Sequence, residues 1–342
     1  MTIELSARTS VGNHGWQLDS LELPSAVPGC TLVASGGLRG PAAVGTIVTA
    51  PAGMAYPGAF TVVDSTGAVV ATESDIVAVA TQGADDFTDA SQGELRMRLR
   101  DPQAGEPRPL ILFLHGGAEA GTDNWSQLVG TLGAARLAAL YPEWLVLAPQ
   151  APPPARAVMP ARRPFAERAL ESDTGWSRGY LTGVCDHIRS LVADGTVDAT
   201  RIYLTGVSMG GAGVLRTLSV APGLFAAAAP VCPTMTPETL DLLLSLESER
   251  LWISTAYIDH TPDRHKYIVD GVISLLRRGA EVHLSLFSPE QLESVGIPGD
   301  PSLPLDALLV ENHASWVLTY ANAEGILDWL TAQHLTPTPS AS

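Results

Sequence analysis

Apolar and polar positions along this chain follow two different rhythms. Over residues 1–90, short runs alternate with a period of two, at 2–7, 16–23, 30–34, 44–49, 60–63, 69–72 and 76–81. Gly, Pro, Asn and Asp separate these runs, and Asp64-Ser-Thr-Gly67 has the composition of a hairpin turn. Seven short strands in some 90 residues predict a small β-sandwich of immunoglobulin-like type. With no cysteine pair, acidic cluster or rich aromatic content, it reads as a packing domain in preference to a carbohydrate-binding module. The stretch 81–93 reads as a linker, and its acids Asp85, Asp86 and Asp89 lack the ladder of oxygen ligands that calcium requires.

From residue 94 the rhythm changes to strands alternating with helices, which predicts a mainly parallel sheet. An alternating edge strand at 94–100 precedes Leu110-Ile-Leu-Phe-Leu114, a continuous apolar run suited to a strand covered on both faces. Asp123-Asn124 predicts the cap of a helix over 125–140, and 144–148 is a further buried strand. Later elements are a helix at 177–193, strands at 201–206, 225–230, 251–258 and 281–287, and helices at 237–247, 266–278 and 316–333. The expected domains are therefore 1–90, 91–335 and a polar tail at 336–342. Residues 151–175 are rich in proline and arginine, with Arg156, Arg162, Arg163 and Arg168, and follow a strand on the side where α/β proteins bind ligands. They read either as a pocket wall or lid, or as a solvated loop.

Composition narrows the range of functions. A net charge of −16 in 342 residues excludes nucleic acid and anionic membranes as expected partners. Cys30, Cys185 and Cys232 are too few and too widely spaced for a disulfide framework or a metal site. The amino terminus shows no basic stretch leading into an apolar run, so a cytoplasmic location is expected, or secretion if a leader has been removed.

Chemistry concentrates at Gly206-Val-Ser208-Met-Gly210. The motif alone is weak, but here it lies between an apolar strand and a helix of small residues. That setting is the nucleophile elbow, where a sharp turn exposes a serine and only glycine fits two positions to either side. A serine nucleophile needs a base and a residue to orient the base. Asp259, after the 251–258 strand, and His313, before the last helix, follow Ser208 in the required order. Asp263, behind Pro262, reads instead as the cap of the next helix, and His260 should point away from its neighbour Asp259. The Met209 N–H at the start of a helix is a candidate oxyanion donor, and the N–H of Gly117 or Ala118 in His115-Gly-Gly117 a second. His115 reads as support for that loop. With Glu119, Trp176 and Trp316 it completes the candidate pocket residues. No metal or organic cofactor is required, and a small-molecule ester is the expected partner.

Four ordered motifs carry a resemblance. They are Phe113-Leu-His-Gly-Gly-Ala-Glu-Ala-Gly-Thr-Asp-Asn124, Ala148-Pro-Gln150, the run from Asp198 to Gly211, and His313-Ala-Ser-Trp316. Over about residues 94–333 the chain resembles the α/β-hydrolase esterases often labelled predicted peptidases, akin to feruloyl esterases and polyhydroxybutyrate depolymerases. The resemblance implies an α/β-hydrolase fold and a carboxylesterase with Ser208 as nucleophile, Asp259 as acid and His313 as base. It also implies an immunoglobulin-like amino-terminal domain in some members. A peptidase or acyltransferase with the same triad, or a hydrolase-like binding protein, are the alternatives. The chain departs from the family pattern at Gly117-Ala118-Glu119-Ala120, where an arginine is missing, and at Thr255-Ala256 in place of His-Gly. Its segment before His313 is also longer.

Overall fold

The computed structural model describes residues 3–13, 15–102, 105–153, 165–167, 175–259, 263–297 and 312–336. Two compact units emerge. The first comprises residues 1–87 together with 128–136, and the second residues 88–127 and 137–342.

In the first unit, seven strands form two sheets: β1 (Leu5–Gly12), β2 (Gly15–Glu22), β3 (Thr31–Ala34), β4 (Ile47–Thr49), β5 (Phe60–Val63), β6 (Val69–Thr72) and β7 (Ile76–Thr81). One sheet runs β4-β2-β1-β7 and the other β3-β5-β6. The alternation read from the sequence has a direct cause. Leu5 and Ala7 of β1, Leu18 and Leu21 of β2, and Leu32, Phe60, Val62 and Ala71 of the second sheet bury their inward side chains in one core.

The second unit is built on an eight-stranded sheet. Its strands are β8 (Thr88–Asp89), β9 (Arg96–Arg100), β10 (Arg108–Leu114), β11 (Leu145–Gln150), β12 (Val197–Val207), β13 (Ala227–Val231), β14 (Leu251–Ala256) and β15 (Val282–Phe287). They lie in the order β15-β14-β13-β12-β10-β11-β9-β8. β10 to β15 pair in parallel, while β9 and β8 are antiparallel to their neighbours. Two sequence expectations change here. Part of the 81–93 stretch is strand β8, so the 94–100 strand is not the edge: Thr88 and Asp89 pair with Leu99 and Arg98.

The helices are α1 (Ser126–Val129), α2 (Ala134–Leu140), α3 (Arg178–Ala193), α4 (Met209–Val220), α5 (Pro237–Ser245), α6 (Arg264–Arg277), α7 (Pro289–Glu293), α8 (Trp316–Tyr320) and α9 (Ile326–Ala332). The single helix expected over 125–140 is two short ones, α1 and α2. Asp123 does cap the first, accepting from the amides of Trp125 and Ser126 at 2.7 Å. The last helix is also interrupted, because Asn322, Glu324 and Gly325 all take left-handed backbone angles. Successive residues of β12 point to opposite faces of the sheet. Leu204 joins the core with Leu112, Val214, Leu215 and Ile253. Tyr203 turns the other way, and its hydroxyl donates to the carbonyls of Thr331 and Gln333 at the end of α9.

β10 lies between β11 and β12, so the chain leaves β10 to build the sheet in both directions. Such a reversal opens a crevice at the carboxyl ends of the two central strands. The loop after β10 and the turn after β12 both emerge there. Among the described residues no helix is long and apolar enough to cross a membrane, and no group of His, Cys, Asp and Glu could hold a metal ion.

Candidate active site

Ser208 stands between β12 and α4 with φ 55° and ψ −112°, a strained setting for a residue with a side chain. The surroundings hold it there. Its amide donates to the Val231 carbonyl at 2.9 Å, and its carbonyl accepts from Thr234 at 3.0 Å and Ala212 at 3.1 Å. Glycine is obligatory nearby for lack of space. A Cβ on Gly206 would stand 2.7 Å from the carbonyl oxygens of Leu114 and Gly210, and one on Gly211 would stand 2.6 Å from that of Val231. A Cβ on Gly210 would collide with the Leu114 carbonyl. The elbow is thus pressed against the end of β10.

Ser208, Asp259 and His313 come together although 105 residues separate the first from the last. His313 Nε2 lies 2.9 Å from Ser208 Oγ, and His313 Nδ1 lies 2.9 Å from Asp259 Oδ2. Asp259 is buried in the bend after β14, while the His313 side chain keeps 15% of its surface exposed. His313 sits in the turn before α8. Its ring meets Trp316 edge to face, centroids 5.4 Å apart. Trp316 itself is half-buried. Asp263 is the residue before α6, yet its side chain makes no capping hydrogen bond. His260 and Pro262 lie outside the described residues. So do Arg156, Arg162, Arg163 and Arg168, the polar tail beyond Thr336, and residues 298–311 of the longer segment before His313. Within the 151–175 stretch, Phe165 is stacked on Tyr267 of α6, centroids 3.6 Å apart.

The loop after β10 forms one turn of 3₁₀ helix over Gly117–Glu119. The amides of Gly117 and Ala118 occupy its first two positions, and Met209 occupies the first of α4. Amides at these positions have no acceptor within their own helix. His115 braces the loop from below. The Ala151 amide donates to its Nε2 at 2.9 Å, so the ring proton is on Nδ1 and is donated to the Gly116 carbonyl at 2.6 Å. Complete burial pushes the His115 pKa down from 6.5 to about 4, and the ring is neutral at pH 7.

Three of the expected pocket residues are therefore corrected. His115 and Trp176 are wholly buried, and Glu119 is 2% exposed. Trp176 donates its indole N–H to the His115 carbonyl at 3.2 Å and packs its ring on His115 and Gly213. These side chains form a floor under the loop, and they offer a substrate no surface. The bulk that suggested a pocket wall is spent on packing.

Two residues escaped the sequence reading. The Gln150 side chain ties the loop together, donating to the Glu119 carbonyl at 3.0 Å and accepting from the Asn124 amide at 2.6 Å. Its place at the end of Ala148-Pro-Gln150 was the available signal. Arg264, the first residue of α6, is buried against both Asp259 and His313. A cation at a helix amino terminus opposes the helix dipole, which hints at a nearby anion.

Residues 175–269, which contain the elbow and Asp259, match the model of the prolyl oligopeptidase family. No curated protein matches the chain. Among solved structures it is similar to a thermostable esterase, with 21% identity over 97% of this chain and 99% of that one and a TM-score of 0.68. Weaker likenesses include a carboxylesterase from Mesorhizobium loti, at 16% identity over 65% of this chain and 96% of that one, TM-score 0.43. Another is an acylaminoacyl peptidase from Pyrococcus horikoshii, at 14% identity over 75% of this chain and 42% of that one, TM-score 0.46. The parallel sheet, the elbow after β12 and the full-length likeness to the thermostable esterase together establish an α/β-hydrolase fold, preceded by a small β-sheet region.

Proposed function

We propose that the protein is a serine carboxylesterase acting on small-molecule esters. The observation that carries this reading is the unbroken series Ser208 Oγ, His313 and Asp259, with both links at 2.9 Å, beginning at a strained elbow. In the working tautomer His313 donates Nδ1–H to Asp259, which leaves Nε2 to accept the serine proton. Ser208 Oγ then attacks the ester carbonyl. The negative oxygen that develops is met by the amides of Met209 and of Gly117 or Ala118. As the tetrahedral species collapses, the proton on Nε2 passes to the leaving alcohol. Water repeats the sequence on the acyl-enzyme and releases the acid. Asp259 stays ionised throughout and stabilises the imidazolium formed in each half. Trp316 is the pocket wall in this reading.

Whole-length similarity to a structure named as an esterase favours an ester over a peptide bond. The family-model match over residues 175–269 supports a peptidase as the second reading. The four sequence motifs favour the feruloyl esterase and depolymerase-like branch, with the amino-terminal strands as an immunoglobulin-like packing domain. The test is covalent labelling by a fluorophosphonate, followed by a panel of nitrophenyl esters and aminoacyl nitroanilides. Labelling and ester turnover are expected, both lost in Ser208→Ala, with turnover falling on the order of 10⁴-fold or more. Preference for the nitroanilides would move the assignment to a peptidase. Substantial turnover by folded Ser208→Ala protein would overturn it.

A further inference from the structure

Arg264 Nη1 stands 3.1 Å from Asp259 Oδ2, 2.7 Å from His313 Nδ1 and 3.0 Å from the carbonyl oxygen of Cys232. The side chain is 3% exposed, and Asp259 is fully covered. We infer that Arg264 is a positioning residue that holds Asp259 ionised and opposes protonation of His313, which extends activity to lower pH. The inference rests on the triad roles proposed above.

Two physical facts lead to it. The first is the count of hydrogens. Nη1 carries two and faces three acceptor positions, one of which is a ring nitrogen. When the ring is neutral with its proton on Nε2, Nδ1 accepts from Arg264. When the proton is on Nδ1, it is donated to Asp259, and Arg264 keeps the Asp259 oxygen and the Cys232 carbonyl. Both neutral tautomers are therefore accommodated. In the imidazolium Nδ1–H is likewise donated to Asp259 beside the guanidinium nitrogen at 2.7 Å, so protonating the ring removes the acceptor that the Nε2–H tautomer offers to Arg264.

The second is the count of charges. In an acid–histidine pair without a third ion, the imidazolium balances the carboxylate. Here Arg264 shares the Asp259 oxygen with the ring, so protonating the ring places a second positive charge 2.7 Å from the guanidinium. Among the described residues, the titratable or charged groups in this cluster include Asp259 after β14, Arg264 on α6, the Ser208 hydroxyl at the elbow, and the Cys232 thiol after β13, which faces Arg264 and Asp259. Burial pushes that thiol up to about 11, so it is neutral. Each turnover must still form the imidazolium briefly, so the arginine exchanges some basicity of His313 for a base that stays deprotonated in acid.

The test compares wild type with Arg264→Gln, which keeps hydrogen bonding without charge, and Arg264→Lys, which keeps the charge. Two readouts are taken on the full chain. One is the acid limb of the kcat/KM profile for a nitrophenyl ester. The other is the titration midpoint of the His313 ring by NMR of histidine-labelled protein, assigned by its loss in His313→Asn. Arg264→Gln should raise both by on the order of one pH unit, and Arg264→Lys should restore both toward wild type. A lower kcat with an unmoved limb and an unmoved midpoint would reduce Arg264 to a packing residue and overturn the inference. If Arg264→Gln does not fold, Arg264→Met is read in the same way. The NMR midpoint needs no turnover. A raised midpoint in a protein that hydrolyses no ester would uphold Arg264 and defeat the esterase reading.

Discussion

Replacing Gly210 by alanine adds one methyl group at the point where the elbow presses on β10. The new Cβ would fall on the Leu114 carbonyl, with the His115 carbonyl oxygen at 2.5 Å and the Leu114 carbonyl carbon at 2.6 Å. These are backbone atoms of a central strand and its buried continuation, so no side chain can swing aside. Either α4 or the loop after β10 must move. Overpacking of this kind costs about 1–3 kcal/mol. For a domain of this size that is a fall in Tm of roughly 2–4 °C per kcal/mol. Chemistry should suffer more than stability, because the displaced atoms join the two amide groups proposed to face the oxyanion. A shift near 1 Å can cost about 10²-fold in rate. Thermal unfolding and the rate of fluorophosphonate labelling measure the two effects. Gly179→Ala is the matched control. It lies near the start of α3 at ordinary backbone angles, a Cβ there meets nothing within 4 Å, and the change should stabilise by about 0.5 kcal/mol. If Gly210→Ala melts and labels like wild type, the close approach between the elbow and β10 does not exist in the protein.

Three further outcomes follow from the same geometry. His313→Ala should lose nearly as much ester turnover as Ser208→Ala, and the double variant should be little worse because the residues act as a unit; additive losses would contradict the shared role. Burial depresses the folded-state pKa of His115 from 6.5 to about 4, so the unfolded chain takes up the proton first. Its contribution is complete above about pH 6.5 and is lost as pH falls toward 4, a change of about 3 kcal/mol at most. Urea unfolding at pH 7 and pH 4.5 should show this loss in wild type and a smaller one in His115→Gln, whereas equal losses would refute it. Arg216 is wholly buried in α4 and paired with Glu238 at 2.5 Å, so Glu238→Ala should destabilise by about 2 kcal/mol or more, and an unchanged Tm would show the pair to be idle.

Much of this architecture could be read along the chain because its causes are local. Leu110 to Leu114 are uniformly apolar because both faces of β10 are covered, and the two-residue alternation before residue 90 reflects a sheet with one buried face. Ser208 was legible because a strained turn admits only glycine at Gly206 and Gly210, which leaves a trace within five residues. Asp259 and His313 could be chosen by chain order, since each loop at the carboxyl edge of a parallel sheet opens on the same crevice. Other features depend on what arrives from distant sequence. Trp176, His115 and Glu119 look like pocket residues until the elbow and the loop after β10 close over them. Gln150 becomes a brace only when β11 is laid beside β10. Nothing near Arg264 in sequence announces that its guanidinium will meet a histidine 49 residues away. Backbone propensity and burial pattern are properties of a short segment and are written there. The partner of a buried charge is chosen by the packing of elements that the segment does not contain.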